Sequence, residues 1–158
     1  MNQVNEVIIR QAEPESLAND LKAVLALLGE VNLPTEGVSE HFDEFLLAYD
    51  REKLVGCVGQ ERYGDVMLLR SLAVSPDLQR GGLGKTLTTK LLDAALSNGV
   101  SEVVLLTTTA KDFFARQFGF AETARSDFDE VFASSPEWRL PSCSSAACMR
   151  LKLPRENY

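Results

Sequence analysis

The sequence has a single histidine, His41, and three cysteines, Cys57, Cys143 and Cys148, none in a Cys-x-x-Cys spacing. One imidazole builds no metal cluster, and an odd number of unspaced thiols frames neither a disulfide scaffold nor a zinc site. Positive charge is also scarce: 16 Lys and Arg stand against 23 Asp and Glu, a net charge of -7. That balance argues against nucleic acid or an anionic membrane as the main partner. No apolar run is long enough to cross a bilayer and no signal peptide is read, so the cytoplasm is the expected compartment. Neither a repeat nor a linker interrupts the chain. What remains is ordinary for one globular domain over residues 1–158, 45% hydrophobic and 25% charged, large enough to bury a core without staples.

The most informative stretch runs from Leu68 to Leu96. Leu68 to Val74 reads as an apolar strand stopped by Ser75-Pro76-Asp77. A glycine-rich loop follows from Gln79 to Gly84, and Leu83, Leu87, Leu91, Leu92 and Leu96 then recur at helical intervals. The order strand, loop, helix leaves free amides at a helix start, where the dipole is positive and phosphate oxygens bind. Three phosphate-loop patterns compete here. A nucleoside-triphosphate loop ending in Gly84-Lys85-Thr86 needs a glycine where Gln79 stands. A dinucleotide fingerprint on Gly82 and Gly84 needs glycine or alanine where Leu87 stands. The pattern Q/R-x-x-G-x-G/A is satisfied throughout by Gln79-Arg80-Gly81-Gly82-Leu83-Gly84, with Arg80 and Lys85 as nearby cations.

Around this stretch the pattern is mixed. Val4 to Arg10 predicts a strand, and Glu13-Pro14-Glu15 a helix start. Leu17, Leu21, Val24, Leu25 and Leu28 give that helix an apolar stripe, ended by Gly29. A short helix is expected from Val38 to Phe42, then strands from Glu44 to Tyr49 and Lys53 to Gln60, with a turn at Tyr63-Gly64-Asp65 before the motif strand. Glu102 to Leu106 should be a buried strand lying parallel to the motif strand, with a cleft between their carboxyl ends. Asp112 to Phe118 predicts a short helix ending at Gly119-Phe120. Ser126 to Phe132 suggests another helix, Ser134 to Ser145 an irregular loop, and Ala146 to Leu153 a last strand.

The Gln79–Gly84 pattern, with its strand, proline and helix in order, resembles the acyl-CoA-binding motif of the GNAT acetyltransferase superfamily. LPTEG, YGDVMLLRSLAVSP, LLTTTAKDFFARQFGF and SCSSAACMRL together look like the arsenic-resistance (ArsN-type) N-acetyltransferases and their relatives among N-acetylglutamate synthase domains. The resemblance implies an α+β GNAT fold: a mixed sheet of six to seven strands flanked by helices and splayed between the motif strand and the next parallel strand. It implies acetyl-CoA as acyl donor, no metal, and a small-molecule amine as acceptor, the α-amino group of an amino acid or an analogue of glutamate, phosphinothricin or arsinothricin type. A homodimer through the last strand or the Trp138 loop would suit it.

The resemblance places cofactor contacts on Leu72, Ala73, Val74, Gln79, Arg80, Gly81, Gly82, Leu83, Gly84, Lys85 and Thr86, and further on at Thr108, Phe113, Phe114 and Arg116. A backbone amide within Leu72–Val74 would polarise the thioester carbonyl as an oxyanion hole does. The family's frequent proton-donating tyrosine falls at Phe114, which cannot donate; a spare residue at Gln117-Phe118 marks a second departure. An α-amino group needs a base. Glu36 is the favoured carboxylate, with Glu61 and Asp65 as alternatives and Tyr63 as a polar helper. The competing roles are a cap for Glu36, a solvated strand end for Glu61, and a turn for Asp65 and Tyr63. Arg70, inside an apolar strand, requires water or a partner: either the carboxylate of an amino-acid acceptor or a structural ion pair. Ser71, Thr107, Ser142 and Cys143 are further candidates for the acceptor pocket. With no Cys-His pair in sight, direct transfer is favoured over an acyl-cysteine. The alternative function is an acyl-CoA-binding sensor without catalysis.

Overall fold

The computed structural model describes residues 7–143 and 145–154. The seven strands make one sheet in the order β1-β2-β3-β4-β5-β7-β6: β1 (Val7–Gln11), β2 (Leu46–Asp50), β3 (Lys53–Tyr63), β4 (Val66–Val74), β5 (Glu102–Thr107), β6 (Ala121–Glu122) and β7 (Ala147–Lys152). Among the described residues the α-helices are α1 (Leu17–Glu30), α2 (Leu83–Ser97) and α3 (Lys111–Phe118). By internal packing the chain divides into two compact units. One takes residues up to Gly59 together with Ser71–Leu91; the other takes Gln60–Arg70 and the chain from Leu92 on.

In the first unit β1, β2 and β3 pair antiparallel. Val24, Leu27 and Leu28 of α1 pack with Val38, Phe42, Phe45, Leu47, Leu54, Cys57 and Ala73. Leu21, Val24, Leu25 and Leu28 of the expected stripe face this core, whereas Leu17 is exposed and Asp20 is buried. The reason is polar: Asp20 takes both terminal nitrogens of Arg10 at 3.1 and 3.2 Å, the Ser16 hydroxyl at 2.9 Å and the Tyr49 hydroxyl at 2.6 Å. These donors hold its carboxyl below the usual range although burial alone would raise it. Gly29 does not end α1. The helix runs to Glu30, and Asn32 takes the left-handed turn at φ 61°, a conformation asparagine tolerates. The expected helix at Val38–Phe42 is a 3-10 segment over Ser39–Glu44, which delays β2 to Leu46. The expected strand residues Val4 to Glu6 lie outside the described residues.

In the second unit β4 and β5 are parallel, as expected, with Val66, Met67 and Leu68 opposite Glu102, Val103 and Val104. β5 pairs antiparallel with β7 along six residues, and β7 with the short β6. Leu68, Val104, Phe128, Phe132, Trp138 and Cys148 form its core. α3 ends as read, with Gly119 at φ 80° and the Phe120 amide reaching back to the Phe114 carbonyl at 3.3 Å. The helix expected over 126–132 is a 3-10 turn at Arg125–Phe128 followed by turns. β3 extends to Tyr63, three residues past its expected end.

Two glycines make a clear contrast. A Cβ on Gly59 would sit 2.1–2.5 Å from three ring atoms of Phe45, a ring that is fully buried and has nowhere to go. Gly59→Ala is therefore expected to lose about 1–3 kcal/mol to overpacking. Gly29, inside α1, has no neighbour within 4 Å of its missing Cβ, so Gly29→Ala should gain about 0.5–1 kcal/mol. Urea unfolding of both variants checks the pair; equal effects would refute it.

Candidate active site

In the first unit the site is built at the end of β4. Ser71 has φ 60° in mid-strand, a left-handed conformation costly for a residue with a Cβ and typical of functional kinks. The Cys57 thiol donates to the Ser71 carbonyl at 3.3 Å. Burial pushes that thiol up to about 12, with a backbone hydrogen bond from Ala73 opposing the shift, so Cys57 is an inert support. Beyond the kink Leu72 is half-buried, and Ala73 and Val74 are buried. The Ser75 amide bonds the Val55 carbonyl at 2.8 Å and turns the chain out of the sheet.

The loop is tied back to the strand it leaves. The Gln79 side-chain amide donates to the Val74 carbonyl at 3.2 Å, and the Gly81 amide to the Leu78 carbonyl at 3.1 Å. Gly82, at φ 85°, makes the turn into α2. Its carbonyl receives both the amide and the hydroxyl of Thr86, at 3.0 and 3.1 Å. The amides of the first turn of α2 lie N-terminal to any carbonyl of their own helix that could receive them. Arg80, Gly81, Gly82, Lys85 and Thr86 are exposed, and Leu83 and Gly84 half-buried. The loop thus offers backbone donors, the positive end of a dipole and two cations to an oxyanion. Glu36 lies exposed in a loop of the same unit, its carboxylate accepting the Thr35 amide at 3.2 Å.

The second unit holds a buried charge cluster. Arg70 Nη1 is 2.6 Å from Glu61 Oε2, and its Nε is 3.3 Å from Glu137 Oε2; side-chain exposures are 0% for Arg70 and Glu61 and 7% for Glu137. The Tyr63 hydroxyl donates to Glu61 Oε1 at 2.6 Å. Burial, and then that bond, push the phenol up to about 12. Of the two readings of Arg70, the structure shows the ion pair. Glu61 is no solvated strand end but a fully buried partner, because an arginine inside an apolar strand needs a counter-charge where it sits. Asp65 shapes the turn, with the Ser101 hydroxyl on its carboxylate at 3.0 Å.

Glu137 was not singled out from the sequence, where nothing beside Pro136 and Trp138 ties an acid to Arg70. Burial raises its carboxyl to about 7, Arg70 and Arg125 pull it down, and Glu61 pushes it up. Arg125 was also missed: it lies over the Trp138 ring and donates to the Trp138 and Cys143 carbonyls. Among the remaining candidates, the Thr107 hydroxyl accepts the Ala110 amide at 2.9 Å and so serves the start of α3. Thr108 and Arg116 are exposed and Phe113 half-buried. Phe114 is buried in an aromatic cluster with Phe113, Phe118 and Phe120. Cys143 is buried. Among the described residues no group of three or more His, Cys, Asp or Glu is arranged to hold a metal ion, and no helix is long and apolar enough to cross a membrane.

A kinked strand, a glycine loop and an open helix start on a seven-stranded mixed sheet define the class: an α+β protein with the GNAT fold. The Acetyltransferase (GNAT) family model matches residues 12–120, and the chain belongs to that family. It is 28% identical over 131 residues to an amino-acid acetyltransferase of Neisseria meningitidis, covering 79% of this chain and 30% of the relative. It is 31% identical over 134 residues to N-acetyltransferase family 8 member 3 of Rattus norvegicus, covering 77% of this chain and 58% of that one. Among solved structures, N-acetylglutamate synthase of Neisseria gonorrhoeae, complexed with coenzyme A and L-arginine, superposes with a TM-score of 0.73 at 27% identity, over 94% of this chain and 34% of that one. Rv2747 of Mycobacterium tuberculosis, in complex with CoA and NLQ, superposes with a TM-score of 0.74 at 25% identity, over 93% and 99% of the two chains. The chain therefore spans about a third of the amino-acid acetyltransferase and the synthase it resembles.

Glu137 gives stability a pH dependence of defined sign. Its carboxyl ionises near 4.5 in an unfolded chain and near 7 in the fold. Between these values the unfolded chain holds fewer protons, so this group costs stability as pH rises. Glu137→Gln should remove that slope, on the order of 2 kcal/mol across the interval, in unfolding curves measured at several pH values; parallel curves would refute it. Arg70→Met leaves two buried carboxylates without their cation and should cost about 3–5 kcal/mol.

Proposed function

We propose that the protein is an N-acetyltransferase that moves the acetyl group of acetyl-CoA to a primary amine, the α-amino group of an amino acid or an amino-acid analogue. The observation that carries this reading is the Gln79–Gly84 loop, which opens α2 directly behind the kinked end of β4. The diphosphate of the donor is assigned to the amides from Gly82 to Lys85, since those of Gly81 and Thr86 already donate to the Leu78 and Gly82 carbonyls, with Arg80 and Lys85 as exposed counter-charges and Gln79 holding the loop to Val74. The thioester carbonyl is assigned to an amide within Leu72–Val74. Thr108, Phe113 and Arg116 are the exposed or half-buried candidates for the rest of the cofactor.

The chemistry is a direct transfer. The neutral amine attacks the thioester carbonyl, the C–N bond forms, the C–S bond breaks, and the thiolate leaves with its electron pair. The proton shed by the amine passes to a base. Glu36 is the carboxylate assigned to that task, since Glu61 is occupied by Arg70 and Tyr63 and Asp65 by Ser101. Ser71, Tyr63, Thr107 and Cys143 remain candidates for acceptor contacts. The amino-acid acetyltransferase relatives support an acceptor of glutamate type. The ArsN-type resemblance adds phosphinothricin-like and arsenical amino acids.

Thermal shifts with acetyl-CoA, free CoA and Mg-ATP in parallel test the reading, followed by turnover assays on those amino acids. A ligand at a hundred times its Kd stabilises by about 2.7 kcal/mol, so a rise in Tm with the CoA compounds alone is expected. Gly82→Val, which forces a branched side chain to φ 85°, should weaken CoA binding about tenfold, or 1.4 kcal/mol. A shift with Mg-ATP alone would overturn the proposal. Tight CoA binding with no turnover on any amine would favour the sensor.

A further inference from the structure

The chain leads from the buried cluster straight into the kink: Arg70, held between two carboxylates, is the residue before Ser71. A strained backbone angle persists only where its surroundings over-determine it. Ser71 has the Cys57 thiol on its own carbonyl, and its preceding residue is pinned by a guanidinium with no exposed surface. The two carboxylates on that guanidinium differ in kind. Glu61 belongs to β3 and is fixed by the Tyr63 hydroxyl. Glu137 belongs to an irregular segment held by the buried Trp138, whose indole donates to Asp129, by the Trp138 amide on the Ser135 hydroxyl and by Arg125 on two carbonyls.

We infer that Glu137 is a positioning residue for acetyl transfer: by sharing the Arg70 guanidinium with Glu61, it fixes the backbone that leads into the Ser71 kink and hence the Leu72–Val74 amides assigned to the acetyl carbonyl. The inference rests on the acetyl-transfer reading above. Burial away from water, with Glu61 beside it on the same guanidinium, favours a proton on Glu137 against the pull of Arg70 and Arg125. The charged groups facing Glu137 are Arg70 on β4, Glu61 on β3 and Arg125 in the 3-10 turn; Tyr63 acts through Glu61. With Glu137 ionised, Arg70 is gripped from two elements and the kink is held. With Glu137 neutral, the grip from the 134–140 segment slackens. Carbonyl polarisation therefore follows the protonation of a residue that touches no ligand.

Turnover alone cannot read this, because the acceptor amine also deprotonates as pH rises. The experiment is difference infrared spectroscopy of carbonyl-labelled (carbon-13) acetyl-CoA bound to the full chain, between about pH 6 and 8, alongside the affinity for free CoA. The wild-type carbonyl band is expected to shift with a one-proton midpoint near 7, toward the more polarised position at high pH. Glu137→Gln should lose the shift and stay at the low-pH position, while Glu137→Asp should keep a titration with a displaced midpoint. Free CoA should bind the wild type and both variants alike, within about twofold. A band that ignores pH in the wild type, or that titrates unchanged in Glu137→Gln, overturns the inference alone. No bound acetyl-CoA band at any pH sinks the acetyl-transfer reading, and this inference with it.

Discussion

The first unit depends on how closely α2 lies on β3, and a missing side chain sets that distance. A Cβ at Gly56 would stand 3.1 Å from Leu83 and Leu87 and 3.2 Å from the Ala73 carbonyl. Leu87 is fully buried, a side chain whose removal from water contributes about 1.5–3 kcal/mol. The helix start is therefore held against the sheet by packing, while its first amides still need acceptors. Leu83 is also the variable residue between the two glycines of the motif, so the loop that offers amides and the helix that aims them share a packing contact. The proposed anion site would then be a by-product of where the helix is anchored.

Among the described residues each unit has a buried acid held by more than its counter-ion. Asp20 has Arg10, Tyr49 and Ser16; Glu61 has Arg70 and Tyr63. Such clusters add little net stability compared with apolar packing, because desolvation offsets attraction, but losing one partner is costly. Their effect is to fix which strand or loop lies where. Arg10 brings Asp20 inward in place of Leu17. Arg70 holds an acid from a loop outside any regular element, and the apolar anchors Trp138 and Phe132 pack in the same core.

The periodic parts of this chain were legible because their physics is local. The apolar intervals of α2, the proline stop at Pro76 and the Gly119 cap sit in the fold as read, and the parallel pairing of β4 with β5 follows from a strand, helix, strand order. The loop pattern was readable because glycine and the helix start have fixed meanings. What could not be read depended on distant partners. The stripe of α1 holds for Leu21, Val24, Leu25 and Leu28 and misses only at Leu17, where Arg10 and Tyr49, from two strands, bring Asp20 inward instead. Glu61 seemed a solvated end because nothing near it in sequence announces Arg70. Glu137 is separated from Arg70 by a long stretch of chain, and burial by tertiary contacts overrides what composition suggests for an acid. The Ser71 kink has no sequence signal at all, since a serine at φ 60° is made tolerable only by its surroundings.

The Phe114 departure bears on how much acid catalysis this site needs. A phenol at that position would supply a proton to the departing sulfur. Here the ring is buried among Phe113, Phe118 and Phe120, so it stabilises α3 and its turn. The leaving group, however, is an alkyl thiolate, and a thiol of that kind ionises at about 8.5. A group that ionises so near neutrality departs as an anion with little need of a proton in the transition state, unlike an alkoxide or an amide nitrogen. The harder step is making the amine neutral and holding the carbonyl where charge develops. On the acetyl-transfer reading those tasks would fall to a base and to backbone amides at the kinked end of β4, where Ser71 at φ 60° is backed by the buried Cys57.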